Sequence, residues 1–107
     1  MENNRPIASV IVLNWNGKRF LGKCLASLLD QNCSNYEVLL VDNGSSDNSI
    51  EFVCAHFGDN PKLRIVPLDY NYGFSKGNNL GMSCARGKYI IMLNNDTEVK
   101  PTFVSEL

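Results

Sequence analysis

Histidine is almost missing from this chain: His56 is the only one among 107 residues. That histidine falls in a helical pattern away from the polar strand ends, so neither a Ser-His-Asp nor a Cys-His pairing can be proposed, which removes hydrolysis by that route. The four cysteines, Cys24, Cys33, Cys54 and Cys84, lie far apart and form no C-x-x-C pair, whereas structural zinc needs clustered Cys or His ligands. Reduced thiols in a cytosolic setting are expected instead, with Cys24, Cys54 and Cys84 on buried helix faces. Long apolar runs are absent too. The stretch Tyr89 to Leu93 is far shorter than the roughly 20 residues of a spanning helix, and Met1 to Pro6 lacks the apolar centre of a signal peptide. Net charge of one sign is also lacking. At a formal charge of -1, nothing draws the whole molecule to nucleic acid or an anionic membrane. Recognition of a phosphate therefore falls to a local site.

What is present is an ordinary globular composition, 44% hydrophobic and 20% charged, in a length that suits one domain. Ile7 to Leu13 is almost wholly apolar and rich in β-branched residues, the pattern of a strand covered on both faces. Phe20, Leu21, Cys24, Leu25, Leu28 and Leu29 then recur at the spacing of one helix face, ending near Gln31. Tyr36 to Val41 reads as a second buried strand, followed by DNGSSD, in which Ser46 or Asp47 is placed as an N-cap. Ile50, Val53, Cys54 and Phe57 mark a second helix, and Leu63 to Pro67 a short strand. A third helix is expected from a Ser75 cap to about Arg86, with Gly87 as its stop. Lys88 to Leu93 is the fourth strand, and Pro101 suits the first turn of a fourth helix. The order β-α-β-α-β-α-β-α defines an α/β fold with a mainly parallel sheet and helices on both faces. Because the last pattern stops one or two turns in, the reading is one domain, residues 1–107, cut short.

Each strand runs into Asn or Asp: Asn14, then Asp42 and Asn43, then Asp69 to Asn71, then Asn94 to Asp96. In a parallel sheet these ends share one rim, where α/β folds bind ligands. Asp42 there is placed to accept hydrogen bonds from a base N–H or sugar hydroxyls, with the loop amides favouring an anion. Taken alone, DNGSSD is equally a β-to-α turn doing local backbone work. Asp96 is placed to hold Mg²⁺ or Mn²⁺ shared with a diphosphate, or else ends a strand in an ordinary turn. Gly73, Gly77 and Gly81 recur every four residues, which puts them on one helix face and permits close backbone approach. Their spacing is neither G-x-G-x-x-G nor the G-x-x-x-x-G-K-[ST] loop. Lys76 reaches a phosphate or simply water. His56 reads as a surface residue and Trp15 as packing beside the first loop. A phosphatase of the D-x-D-x-T type is excluded, because Asn94 stands where the nucleophile would be.

Together SVIVLNWNG (9–17), EVLLVDNGSSDNS (37–49) and NYGFSKGNNLGMSCARGKYIIMLNNDTEV (71–99) resemble the family 2 glycosyltransferases of the GT-A fold, most closely in look its rhamnosyltransferase-like branch. The resemblance covers nearly the whole chain from Ala8. It implies that Asp42 bonds the uracil or thymine of a nucleotide-sugar donor, with Asn14 and Asn16 lining the pocket and Asn43 and Asp47 in the same signature. It implies that Gly73, Phe74, Lys76, Asn78 and Asn79 wrap the nucleotide toward its diphosphate. Asn94 to Asp96 then corresponds to the D-x-D motif, Asn94 facing ribose and Asp96 binding a divalent cation, Mg²⁺ or Mn²⁺. The first Asp of that motif is replaced by Asn94, which would add little to a metal site.

The implied activity is inverting transfer of a sugar from a UDP- or dTDP-linked donor to a saccharide or lipid-linked acceptor, with no nucleic acid partner. The general base and acceptor site are expected beyond Leu107, so the chain alone is expected to bind nucleotide weakly and transfer no sugar. A cytoplasmic location, peripheral at the inner membrane surface, and self-association through an exposed sheet edge are further expectations. The competing class is a non-catalytic nucleotide-binding or assembly module of the same fold. A nucleotidyltransferase is disfavoured by the lack of a glycine- and lysine-rich loop after the first strand.

Overall fold

The computed structural model describes residues 5–107. β1 (Ala8–Asn14), β2 (Tyr36–Asn43), β3 (Leu63–Leu68) and β4 (Tyr89–Asn94) alternate with α1 (Lys18–Leu29), α2 (Ser49–Phe57) and α3 (Phe74–Cys84). The strands form one parallel sheet in the order β3-β2-β1-β4. The chain builds outward from β1 to β3, then returns to β1's other side with β4. The connection reverses direction between β1 and β4, and such a switch point opens a crevice at the carboxyl ends of the strands.

Strand alternation sorts the core into two layers. Ala8, Val10, Val12, Val38 and Leu40 meet Leu21, Cys24, Leu25 and Leu28 of α1 and Val53 of α2. Ile11, Leu39 and Val41 face the opposite way, toward Met82 and Cys84 of α3. α3 sits close to the sheet because it presents glycine there. A Cβ on Gly77 would lie 2.9 Å from Leu13 Cδ1 and Asn43 Nδ2, and one on Gly81 2.6 Å from Val41 Cγ2. Gly73, the first of the three spaced glycines, has open space around its Cβ position but a φ of +86°, so it serves the turn into α3 rather than the packing. Helices thus cover both faces, as expected, but α3 stands alone on its side and leaves Ile90 and Met92 of β4 exposed. β3 and β4 are the sheet edges.

Several expectations need correction. No helix follows β4: residues 101–106 form successive turns. The amide of Val104, which a helix would direct to Lys100 O, donates to Gln31 Oε1 at 2.9 Å. The carbonyls of Lys100 and Pro101 are taken by Gln31 Nε2 and the Asn32 amide. The segment keeps isolated backbone bonds, such as Phe103 N to Lys100 O and Glu106 N to Thr102 O, but is anchored by Gln31 and Asn32, just after α1, and does not build a continuous helix. α3 begins at Phe74 after Gly73, without a cap from Ser75, and stops at Cys84; a Cβ on Gly87 would come within 2.6 Å of the Ser9 amide nitrogen, so that glycine allows strand approach and does not end the helix. α2 begins at Ser49, after Asn48 in a left-handed turn at φ 65°. Cys54 is exposed while Cys24 is buried, because α2 buries only Ser49 and Val53 fully. Trp15 is 54% exposed. Among the described residues no helix is long and apolar enough to cross a membrane.

The amino-terminal rim is closed by a buried carboxylate. Glu37, 6% exposed, accepts from Ser9 Oγ (2.6 Å), the Arg86 amide (2.7 Å) and Arg64 Nη1 (2.9 Å). Arg64 Nη1 also donates to the last carbonyl of α3, on Cys84. Burial pushes the Glu37 carboxyl up, but these donors and the Arg64 charge together hold it below the usual carboxylate range. A cavity of about 210 Å³ beside it is lined by Lys62, Arg64 and Arg86. Its Arg64 cation is already spent on Glu37 and a helix C-terminus, where positive charge is favoured.

Candidate functional site

At the opposite rim the strand register brings the polar ends level: Asn14 pairs with Asp42, Leu13 with Asn94, and Asn43 with Leu68. Asp42 is 1% exposed and held by neutral donors alone. Asn14 Nδ2 (2.9 Å) and Ser45 Oγ (2.8 Å) reach its Oδ1, and the Ser45 amide (2.9 Å) its Oδ2. Among the described residues no ion pair involves it. Each carboxylate oxygen accepts about two hydrogen bonds, so Oδ2 keeps capacity for one more donor.

The loops after β1 and β2 are stitched together by the residues singled out in the sequence. Asn16, at φ 51°, accepts the Ser46 amide on Oδ1 (2.7 Å), and its own amide donates to Ser45 Oγ (2.8 Å). Asp47 accepts the first amide of α1, on Lys18, at 3.0 Å and the first amide of α2, on Ser49, at 3.0 Å, along with the Ser49 hydroxyl. One carboxylate therefore takes the first amide of two helices, α2 locally and α1 from 29 positions away along the chain. Burial pushes it up, but the Ser49 hydroxyl and the two helix amides hold it below the usual range. Asn43 accepts the Tyr72 amide and donates to Gly73 O, fixing the entry to α3. Asn78 donates to Phe74 O within α3.

A second set of side chains faces outward. Phe74 is 69% exposed, and Lys76, Asn79, Asn94 and Asp96 are exposed as well. Lys76 Nζ lies 4.8 Å above the Tyr72 ring, and the Tyr72 hydroxyl donates to Asp69. Of the three helix N-termini at this rim, those of α1 and α2 hold Asp47, while α3 has no acidic residue in its first turn and no side-chain cap. Its free amides and Lys76 suit an anion. A cavity of about 190 Å³ opens beside it at the switch point, between Leu13, Phe74, Asn78, Met92, Leu93 and Asn94.

Two functional candidates escaped the sequence. Ser45 touches Asn14, Asn16 and Asp42 at once. Asn95 donates to Asn14 Oδ1 at 2.8 Å. Ser45 lies inside DNGSSD and was there to be found; Asn95 is the middle residue of a motif read for its ends.

For a hard cation, the loop after β4 offers Asp96 next to the strand end, with Glu98 two residues further on, and no group of three His, Cys, Asp or Glu that could hold a metal occurs among the described residues. That donor set fits an ion whose shell is completed by a ligand's oxygens. The Asp96 charge also reaches Cys24, whose thiol burial pushes up to about 11, with the Thr97 amide opposing and Asp96 adding. Cys24 is an inert thiol.

The parallel sheet and its order define a Rossmann-like α/β fold of the GT-A kind. TarS of S. aureus, solved in complex with UDP-GlcNAc, superposes with a TM-score of 0.85 at 24% identity over 92% of this chain and 29% of that one. A mannosyltransferase of Pyrobaculum calidifontis, in complex with GDP-Man and Mn²⁺, gives 0.86 at 22% identity over 94% of this chain and 31% of that one. Residues 9–107 match the family described as Glycosyl transferase family 2, and the chain belongs to it. Glycosyltransferase GlyG of Streptococcus pneumoniae is 33% identical over 94% of this chain and 34% of its own length. Hyaluronan synthase of Pasteurella multocida is 31% identical over 95% of this chain and 10% of its own. The chain spans about a third or less of these relatives.

Proposed function

We propose that the chain is the donor-binding part of a glycosyltransferase that takes its sugar from a UDP- or dTDP-linked donor and passes it to a saccharide or lipid-linked hydroxyl. The observation that carries this reading is the division of labour at the rim. Asp42 is buried among neutral donors with room for one more, while the α3 N-terminus with Lys76, and Asp96, stay open beside it. Those groups suit, in order, a base N–H, a diphosphate, and a divalent cation shared with that diphosphate. Asn14, Asn16, Asn43, Asp47 and Asn78 serve the site from within the framework. Gly73, Phe74, Lys76, Asn79 and Asn94 face the ligand. Asp96 would hold Mg²⁺ or Mn²⁺, which when bound supplies charge stabilisation to the departing diphosphate.

In the whole protein, the acceptor oxygen bonds to the anomeric carbon as the bond to the diphosphate oxygen breaks, with inversion, and a base outside these residues takes the acceptor's proton. On this reading the α3 amides and Lys76 stabilise the negative charge that grows on the leaving group.

The test is an amide-shift titration with UDP and dTDP, each with and without Mn²⁺ or Mg²⁺. Metal-dependent shifts around Asn14, Asp42, Gly73 and Asp96, lost in Asp42→Ala and Asp96→Ala, are expected. A folded sample that responds to neither nucleotide would refute the reading. One observation favours a non-catalytic nucleotide-binding module: Asn94 stands where the family motif has its first Asp, leaving a single carboxylate after β4 before Thr97. Sugar transfer by the full-length protein would rule that module out.

A further inference from the structure

We propose that Asn95 and Asn14 are positioning residues that hold the Asp96 loop at a fixed span from Asp42, so that base and metal-bound diphosphate are gripped in one register. This rests on the donor-site reading above.

The argument starts from Asn14, which is fully buried at the end of the central strand. Its amide has two unlike ends. Nδ2 donates to Asp42 Oδ1 at 2.9 Å, and Oδ1 accepts from Asn95 Nδ2 at 2.8 Å. Turning that amide over would press its carbonyl oxygen against the Asp42 carboxylate and its NH₂ against the NH₂ of Asn95, so a single orientation satisfies both neighbours. The Asp42 charge thereby fixes the direction of Asn14, and Asn14 fixes that of Asn95. Asp96 is the next residue along the backbone. A line of directed hydrogen bonds thus crosses the switch point, from the end of β2 through the end of β1 to the loop after β4, where the sheet itself gives only backbone pairing.

Gly17 supplies the second, independent observation. A Cβ there would run into Asn95 Nδ2 and lie 2.6 Å from Asn14 Oδ1. Its φ of -109° is open to any residue, so glycine is needed at this position for the space the Asn14–Asn95 bond occupies and not for the turn. The start of α1 is shaped around this contact.

Two variants attack the contact from different sides: Asn95→Ala removes the donor, and Gly17→Ala pushes it away without deleting a polar group. With Mn²⁺ present, affinity for UDP or dTDP, followed by Trp15 fluorescence, should fall about ten-fold in each variant. Without metal, affinity should stay within about two-fold of wild type, since the Asp42 end is intact. The double variant should be no worse than either single one, because both break the same bond. Thermal unfolding confirms that each is folded. A general loss of structure would weaken binding with and without metal alike and would overturn the proposal, as would either single variant binding like wild type in Mn²⁺.

If wild type binds neither nucleotide, the donor-site reading itself fails. The tie is then judged without ligand, by amide exchange at Asp96 and Thr97. Faster exchange there in both variants, with β1 and β2 unchanged, upholds it; unchanged exchange overturns it as well.

Discussion

β2 carries a buried carboxylate near each end, and the two are held in opposite ways. Glu37 at the amino-terminal rim meets a guanidinium, a hydroxyl and an amide. Asp42 at the carboxyl-terminal rim meets only neutral groups, an amide side chain, a hydroxyl and a backbone amide. Both are almost inaccessible to water. Burying a charge is costly unless it is paired, and Glu37 is paired: its negative charge is cancelled inside the fold. Asp42 has no counter-charge beside it among the described residues and keeps one accepting direction. A buried group whose needs are met internally closes a structure, whereas one fixed in place and left short of a partner is arranged for something that arrives later.

The sharpest way to break this contrast is to delete Glu37. Glu37→Ala leaves the Arg64 guanidinium facing Cys84 O without its counter-charge and strands the Ser9 hydroxyl and Arg86 amide. Removing one partner of a buried pair costs about 3–5 kcal/mol, and Arg64 is partly exposed, so the lower end, about 3 kcal/mol, is expected in urea unfolding. Nucleotide affinity of the folded fraction should be unchanged. If binding fell as well, the two rims would not be separable and the contrast would fail.

Asp42→Asn should do the reverse. The neutral isostere keeps the shape but must turn its NH₂ toward the Ser45 amide in place of Oδ2, so a stability loss of about 1–2 kcal/mol, smaller than that of Glu37→Ala, is expected. A hydrogen bond to a charged acceptor is worth about 1.5–3 kcal/mol, so nucleoside affinity should weaken about ten-fold or more. Calorimetric titration of UDP and dTDP against the variant measures this. A large stability loss with intact binding would place Asp42 beside Glu37 as a structural group.

A smaller effect separates the rims by pH. The folded-state pKa of Glu37 is lowered, so its stabilising contribution is complete above the unfolded carboxylate value of about 4.3. It is lost as pH falls through the folded value. Wild type should therefore lose stability more steeply than Glu37→Gln as pH drops from about 5 to about 3. Asp47 is shifted the same way and leaves a residual slope in both proteins. Parallel slopes in wild type and Glu37→Gln would show that the Glu37 network does not favour the ionised form.

How much of this was legible in the sequence follows from the range of the interactions. Strands and helices were readable because period 2 and period 3.6 are local, and the rim was readable because each apolar run ends in Asn or Asp. The division of the rim was not. Asn14 and Asn95 are 81 positions apart and Glu37 and Arg64 27 apart, so their pairing depends on strand order. Asn43 and Asn78 look like ligand groups in sequence because an amide is equally suited to ligand and backbone; only the fold shows that both face backbone carbonyls. The missing fourth helix has a similar cause. Pro101 is a fair helix start by local rules, but the side chain of Gln31 takes the Val104 amide that the helix needed.

The finest distinction falls on Ser45, the residue both loops share. Its hydroxyl donates to Asp42 Oδ1 at 2.8 Å while accepting from the Asn16 amide at 2.8 Å and from Asn14 Nδ2 at 3.3 Å. Ser45→Ala leaves the backbone amide bond to Oδ2 and the Asn14 bond to Oδ1 in place. The Asn16 amide lies near the surface and can turn to water, so the net loss should be a single hydrogen bond, about 1 kcal/mol in unfolding. If Asp42 is poised by its neutral donors, removing one should loosen its aim and weaken nucleoside affinity by about two- to five-fold, well short of Asp42→Asn. If Ser45 serves only to join the loops, stability should fall by the same amount and affinity should not change. Unfolding and titration on this one variant therefore decide whether the neutral donors around Asp42 aim it at a ligand or merely satisfy it.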